Sequence, residues 1–140
     1  MRKIKVYVAS SFDIKDRAKE VINMCERAGL EVTHDWTQES WEGLSGVHLE
    51  NQRRKNAIED FEGAQNADWL IFLNSPKGCG CWTEFGIALG SGRKCVIVQA
   101  MEPGFLHNIF VHLPGVFWAA SGMAAVKQIL VAERITEEEI

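Results

Sequence analysis

Five consecutive large apolar side chains, Trp69-Leu70-Ile71-Phe72-Leu73, stand between the polar residues Asp68 and Asn74. A strand with one face in water alternates polar and apolar residues. A run without alternation suits a strand covered on both faces, as in parallel sheets sandwiched between helices. The run therefore predicts a buried central strand, and the rest of the chain has to supply helices for both sides of it.

The flanking patterns supply them. Lys3 to Ala9 reads as a first strand, with Ile4, Val6 and Val8 on one face and Tyr7 and Ala9 on the other. Asp13 is a suitable N-cap for a helix whose stripe runs through Ile14, Ala18, Val21, Ile22, Cys25 and Ala28 until Gly29 stops it. Leu30 to His34 predicts a second strand, and Asp35 to Gly46, holding Trp36 and Trp41, a long loop. Val47 to Ala64 has an apolar stripe of Ala57, Ile58, Phe61 and Ala64 and predicts a helix ending at Asn66, with a break at Gly63. Asn74 to Gly80 is turn-rich, and Trp82, Phe85, Ala88 and Leu89 then recur at helical spacing before Gly90 and Gly92.

Cys95 to Val98 makes a fourth strand, Ile109-Phe110-Val111 is placed against the sheet edge after Pro103-Gly104, and Val116-Phe117-Trp118 makes a fifth strand. Gly122 to Ala132 predicts the last helix, and residues 136–140 an acidic tail. The expectation is one domain over residues 1–135, a three-layer α/β sandwich with a five-stranded, mainly parallel, flavodoxin- or Rossmann-like sheet and right-handed crossovers.

Charge and cysteine content narrow the function. A formal charge of -4 over 140 residues gives no general attraction to nucleic-acid polymers or anionic membranes. No segment approaches the roughly 20 apolar residues of a membrane span. Met1 to Lys5 resembles a signal n-region, but Val6 to Ala9 is too short a core before Asp13, so a cytoplasmic location is expected. Cys79 and Cys81 lack zinc-knuckle spacing, and Cys25 and Cys95 fall within apolar patterns. No metal or cofactor is expected.

In such a sheet, ligands gather at the carboxyl ends of the strands where the strand order reverses. Ser10-Ser11-Phe12, Asn74 to Gly80 and the region after Val98 meet there. Gly78-Cys79-Gly80 before a helix permits close backbone approach to an anionic group. Glu84, early in that helix, either stabilises its first turn or faces the cleft as an ionised carboxylate able to attack a sugar carbon. Asp60 is a solvent-facing acid or a site residue. His34 and Asp35, at the end of the second strand, either join a ligand pocket or anchor the loop, and Trp36 and Trp41 either stack on a ring or bury area.

Three stretches together resemble the nucleoside 2-deoxyribosyltransferase-like family: Lys5-Val6-Tyr7-Val8-Ala9-Ser10-Ser11-Phe12; Asp60-Phe61-Glu62-Gly63 with Ala67-Asp68; and Gly80-Cys81-Trp82-Thr83-Glu84-Phe85-Gly86-Ile87-Ala88-Leu89-Gly90. The last block is the most specific. The resemblance implies cleavage of the N-glycosidic bond of a deoxynucleoside or its 5'-monophosphate, by transfer or by hydrolysis. Glu84 would be the nucleophile, Asp60 the acid that contacts the departing base, and Tyr7 the hydroxyl that orients the nucleophile. A covalent deoxyribosyl-enzyme would be resolved by another base or by water. On this basis Glu84 is expected to stay ionised while Asp60 titrates higher.

The chain departs from the family pattern where Gly78 replaces an acid that grips the sugar hydroxyls in many nucleoside transferases. The nucleotide-hydrolysing branch surrounds its 5'-phosphate with serines and an arginine near the first loop, roles open to Ser10, Ser11 and Arg17, although Arg17 also fits an i,i+3 pair with Glu20. Asn108 lies in the region that in relatives helps to complete a neighbouring subunit's site, which implies a homo-oligomer. The rival reading is a non-catalytic nucleotide-binding or sensing module. The joint presence of Glu84 and Asp60 favours catalysis, because a binding module needs neither acid.

Overall fold

The computed structural model of the protein describes residues 2–73, 79–98 and 108–138, with side chains as far as residue 134. Five strands, β1 (Lys5–Ala9), β2 (Glu31–Val32), β3 (Trp69–Leu73), β4 (Lys94–Val98) and β5 (Val116–Ala119), form one sheet in the order β2-β1-β3-β4-β5. All the pairings are parallel, with Tyr7 opposite Leu70 and Ile71 opposite Val96. Every residue of β3 is buried, as its unbroken apolar run demands.

Helices α1 (Lys15–Arg27), α2 (Gly46–Asn66), α3 (Gly80–Gly90) and α4 (Gly122–Glu138) cover the sheet, α1 packing with α4 and α2 with α3. The inward stripe of α1 is Ala18, Val21, Ile22 and Cys25, and that of α4 includes Ala125, Val126 and Ile129. The three-layer sandwich is therefore the observed fold. Strand order reverses between β1 and β3, so the crevice above their carboxyl ends is the place for a ligand. Among the described residues no helix is long and apolar enough to cross a membrane.

Several local expectations change. Ile109–His112 is a 3-10 turn rather than an edge strand: the Asn108 side chain accepts the Phe110 N–H, and Val111 turns inward while Ile109 and Phe110 face out. Asp13 does not cap α1. It lies in a 3-10 turn, Phe12–Ile14, and its carboxylate accepts the Ser11 hydroxyl. The last helix continues through Glu138, so residues 136–138 are helical rather than tail. Pro103-Gly104 lies outside the described residues.

Gly63 does not break α2. A Cβ there would stand 2.9 Å from the Tyr7 ring and 3.0 Å from His34 Cβ, so glycine is what lets the helix settle onto β1. Thr33 fastens the approach by donating its hydroxyl to the Gly63 carbonyl at 2.8 Å. This contact brings the α2 residues before Gly63 over the end of β1.

Candidate active site

Tyr7 points from β1 toward α2 and α3, and its ring is fully buried. Its hydroxyl donates to Glu84 Oε2. Burial, reinforced by the Glu84 and Asp60 carboxylates, holds the phenol far above its ordinary range, so it is a neutral donor. Glu84 is itself pushed up to about 8, mainly by burial, with Asp60 adding to the shift and the Tyr7 hydrogen bond opposing it. Glu84 lies beyond the first turn of α3, where the dipole has faded and desolvation dominates.

Glu84 borders a cleft of about 680 Å³. Ser10, Ser11 and Phe12 form its floor beyond β1, with Gly80 on the α3 side. The α2 wall presents Arg53, Asn56, Asp60 and Phe61, which share one helix face at i, i+3 and i+4 spacing. Trp36, Glu39 and Trp41 close the third side. Trp36 is anchored by its indole N–H, which donates to the Val8 carbonyl at 2.6 Å. Phe12 stands between the two indoles, its ring centre 6.5 Å from that of Trp36 and 5.3 Å from that of Trp41. Phe12 and Trp41 are 48% and 40% exposed, which leaves aromatic surface free for a planar ligand.

A second cluster surrounds Asp60. His34 Nε2 lies 3.0 Å from Glu39 Oε2, 3.2 Å from Asp60 Oδ1 and 3.7 Å from Glu59 Oε2. The Glu39 contact is a hydrogen bond, whereas Asp60 Oδ1 is buried without a hydrogen-bond partner among the described residues. Burial pushes Asp60 up to about 8, the Glu39 carboxyl raises it further by hydrogen bond and charge, and His34 pulls it down. Glu39 is raised too, chiefly by burial and then by the surrounding carboxylates, against the hydrogen bond with Asp60 that lowers it. His34, Glu39 and Glu59 converge closely, and the imidazole nitrogen sits at hydrogen-bond distance from Glu39. His34 and Glu59 also border a second recess of about 490 Å³ beside β2.

Of the residues singled out from sequence, Glu84, Asp60, Ser10, Ser11, Phe12, Trp36 and Gly80 meet in the cleft, and Tyr7 reaches it through Glu84. Arg17 does not: it is exposed on α1, one position from the inward-facing Ala18. Asp35 does not line the cleft either. Its carboxylate accepts from the Thr37 N–H and pairs with Lys19 at 2.5 Å. Burial alone would raise that carboxyl, but Lys19 and Thr37 outweigh it and hold it below its usual range. Asn108 caps its 3-10 turn and is absent from the cleft wall, and Gly78 lies outside the described residues. Glu39, Arg53 and Asn56 line the cleft without having been singled out as site residues. Helical spacing from Asp60 could have revealed Asn56 and Arg53, but nothing local marks Glu39.

Neither a protein-family model nor a curated protein matches this sequence. Among solved structures, the chain is similar to one described as Clostridium botulinum CMP N-glycosidase, BcmB, at 15% identity and a TM-score of 0.58, over 89% of this chain and 97% of that one. The likeness establishes a common fold.

Proposed function

We propose that the protein cleaves the N-glycosidic bond of a 2'-deoxynucleoside or its 5'-monophosphate through a covalent deoxyribosyl-Glu84 intermediate. The observation that carries this reading is Glu84 itself, a carboxylate held by a buried phenol on the wall of a cleft that also presents a second acid, Asp60. The description of the structural neighbour as a CMP N-glycosidase supports the same class of bond cleavage on this fold.

Tyr7 holds one Glu84 oxygen, leaving the other to attack C1' of the sugar. As the C1'–O bond forms and the C1'–N bond breaks, the bonding pair leaves with the base, and Asp60 supplies the proton that neutralises it. Water or a second base then attacks C1', gives its proton to the Asp60 carboxylate and frees Glu84 as carboxylate. The reaction needs Glu84 ionised and Asp60 protonated. Burial raises both, and their partners separate them: the Tyr7 donor favours the Glu84 anion, while the neighbouring carboxylates favour protonated Asp60.

The aromatic surface of Phe12 and Trp41 suits a planar base. Arg53, rather than Arg17, is the cation on the cleft wall among the described residues, and Ser11 already donates its hydroxyl to Asp13. The chain is read as a homo-oligomer, in keeping with the exposure of Ile109, Phe110 and Leu113.

Deoxynucleosides and deoxynucleotides, with and without an acceptor base, test the reading against Glu84→Ala. Free base from monophosphates alone identifies a hydrolase, and base exchange that needs an acceptor identifies a transferase. Equal binding by wild type and variant with no turnover of any compound replaces the enzyme by a nucleotide-binding module.

A further inference from the structure

We infer that Glu39 is a positioning residue for Asp60: the two carboxyl groups share one proton, and this sharing presents Asp60 to the departing base in its acid form. The inference rests on the glycosidic reading above for its consequence in catalysis, but not for the shared proton itself.

His34 Nε2 can carry one hydrogen, yet it faces Glu39 Oε2 at 3.0 Å and Asp60 Oδ1 at 3.2 Å. The Glu39 contact has hydrogen-bond geometry, which leaves Asp60 Oδ1 buried without a partner. A buried carboxylate oxygen in that position is costly. A proton on Asp60, donated to Glu39, replaces two facing anions by one charge-assisted hydrogen bond.

The other charged groups around the pair strengthen the case. Glu59 from α2 and Glu84 from α3 add negative charge, Tyr7 from β1 is a neutral phenol already committed to Glu84, and His34 is the basic group in contact. Asp35 adds more negative charge toward Glu39, although Lys19 neutralises it. Arg53 lines the same wall two helical turns before Asp60. One imidazole among three carboxylates cannot balance them, so the cluster retains a proton, and the buried Asp60 Oδ1, which has no hydrogen-bond partner among the described residues, is the oxygen that gains most by carrying it. When Asp60 gives that proton to the base nitrogen, Glu39 and His34 remain to take up and return the next one from solvent.

The test is carboxyl-carbon NMR of the unaltered protein and of Glu39→Gln, followed by pH–rate profiles on the same samples. In the unaltered protein the Asp60 and Glu39 carbons should both report the same titration steps, as a coupled pair does. In Glu39→Gln the Asp60 midpoint should fall by about one pH unit or more. The high-pH limb of kcat should move down with it, costing about tenfold in rate per unit above that limb, and Glu39→Asp should restore part of the shift. A 2-deoxyribosyl 4-nitrophenyl substrate, whose leaving group needs no proton, should lose less than about twofold in kcat in Glu39→Gln.

Independent titration of the two carboxyl groups, or an Asp60 midpoint unmoved by Glu39→Gln, overturns the inference. Since the NMR measurement needs no turnover, failure to find a substrate defeats the glycosidic reading alone.

Discussion

Two acids line opposite walls of the cleft, and they differ in what surrounds them. Glu84 and Asp60 are each pushed up to about 8 with desolvation as the leading cause. On the α3 wall, Glu84 meets a phenol that donates to it. On the α2 wall, Asp60 meets Glu39 and Glu59, with one imidazole shared among them. A donor stabilises an anion and a crowd of anions stabilises an acid, so the same low-dielectric pocket favours the ionised form on one wall and the protonated form on the other.

The contrast breaks most sharply with Asp60→Asn. If Asp60 is the acid, kcat for natural bases should fall by about 10²–10⁴ while a 4-nitrophenyl leaving group is nearly spared. Equal losses for both substrates would remove the acid role. Tyr7→Phe comes next. Loss of a hydrogen bond to a charged group should cost about 10–100-fold in kcat/KM. Because that bond lowers the Glu84 pKa, the low-pH limb should also move to higher pH. A fixed limb would show that Tyr7 does not act on Glu84.

Gly63→Ala tests the packing that brings the two walls together. A methyl group 2.9 Å from the Tyr7 ring has to be accommodated by a buried aromatic side chain, so unfolding in urea should show a loss of about 1–3 kcal/mol. Unchanged stability would mean that the α2 approach is not tight.

A further effect is in stability against pH. Both acids have folded-state values raised above their unfolded ones, so the native state holds more protons and stability falls as pH rises from the ordinary carboxylate range toward about 8. Asp60→Asn removes its share of that loss. The variant should therefore gain in Tm relative to the wild type between pH 5 and pH 8, and a constant difference across that range would contradict the raised value.

Much of the architecture was legible because it is written in local periodicity. The unbroken Trp69–Leu73 run marked a strand covered on both faces, and the α1 stripe marked its inward side. Glu84, Asp60, Tyr7 and Ser10 were visible through the motif resemblance, and the structure brings them together. Arg17, open in the sequence to a phosphate role or to an exposed place beside Glu20, falls on the exposed side, because a helix turns about 100° per residue and carries it away from the face that Ala18 buries. The Ile109–Val111 run was misread because apolar content alone does not separate a strand from a tight turn capped by Asn108.

By itself, the sequence determined which segments have to be buried and which reactive residue types are on offer, since apolar periodicity and residue type are local properties. The tertiary structure alone decided that Glu39 stands beside Asp60, that Arg53 rather than Arg17 faces the cleft, and that burial raises Glu84 as well as Asp60. Those outcomes depend on how closely α2 and α3 approach the end of β1. Desolvation and charge coupling sum over everything nearby in space, so no spacing along the chain reveals them.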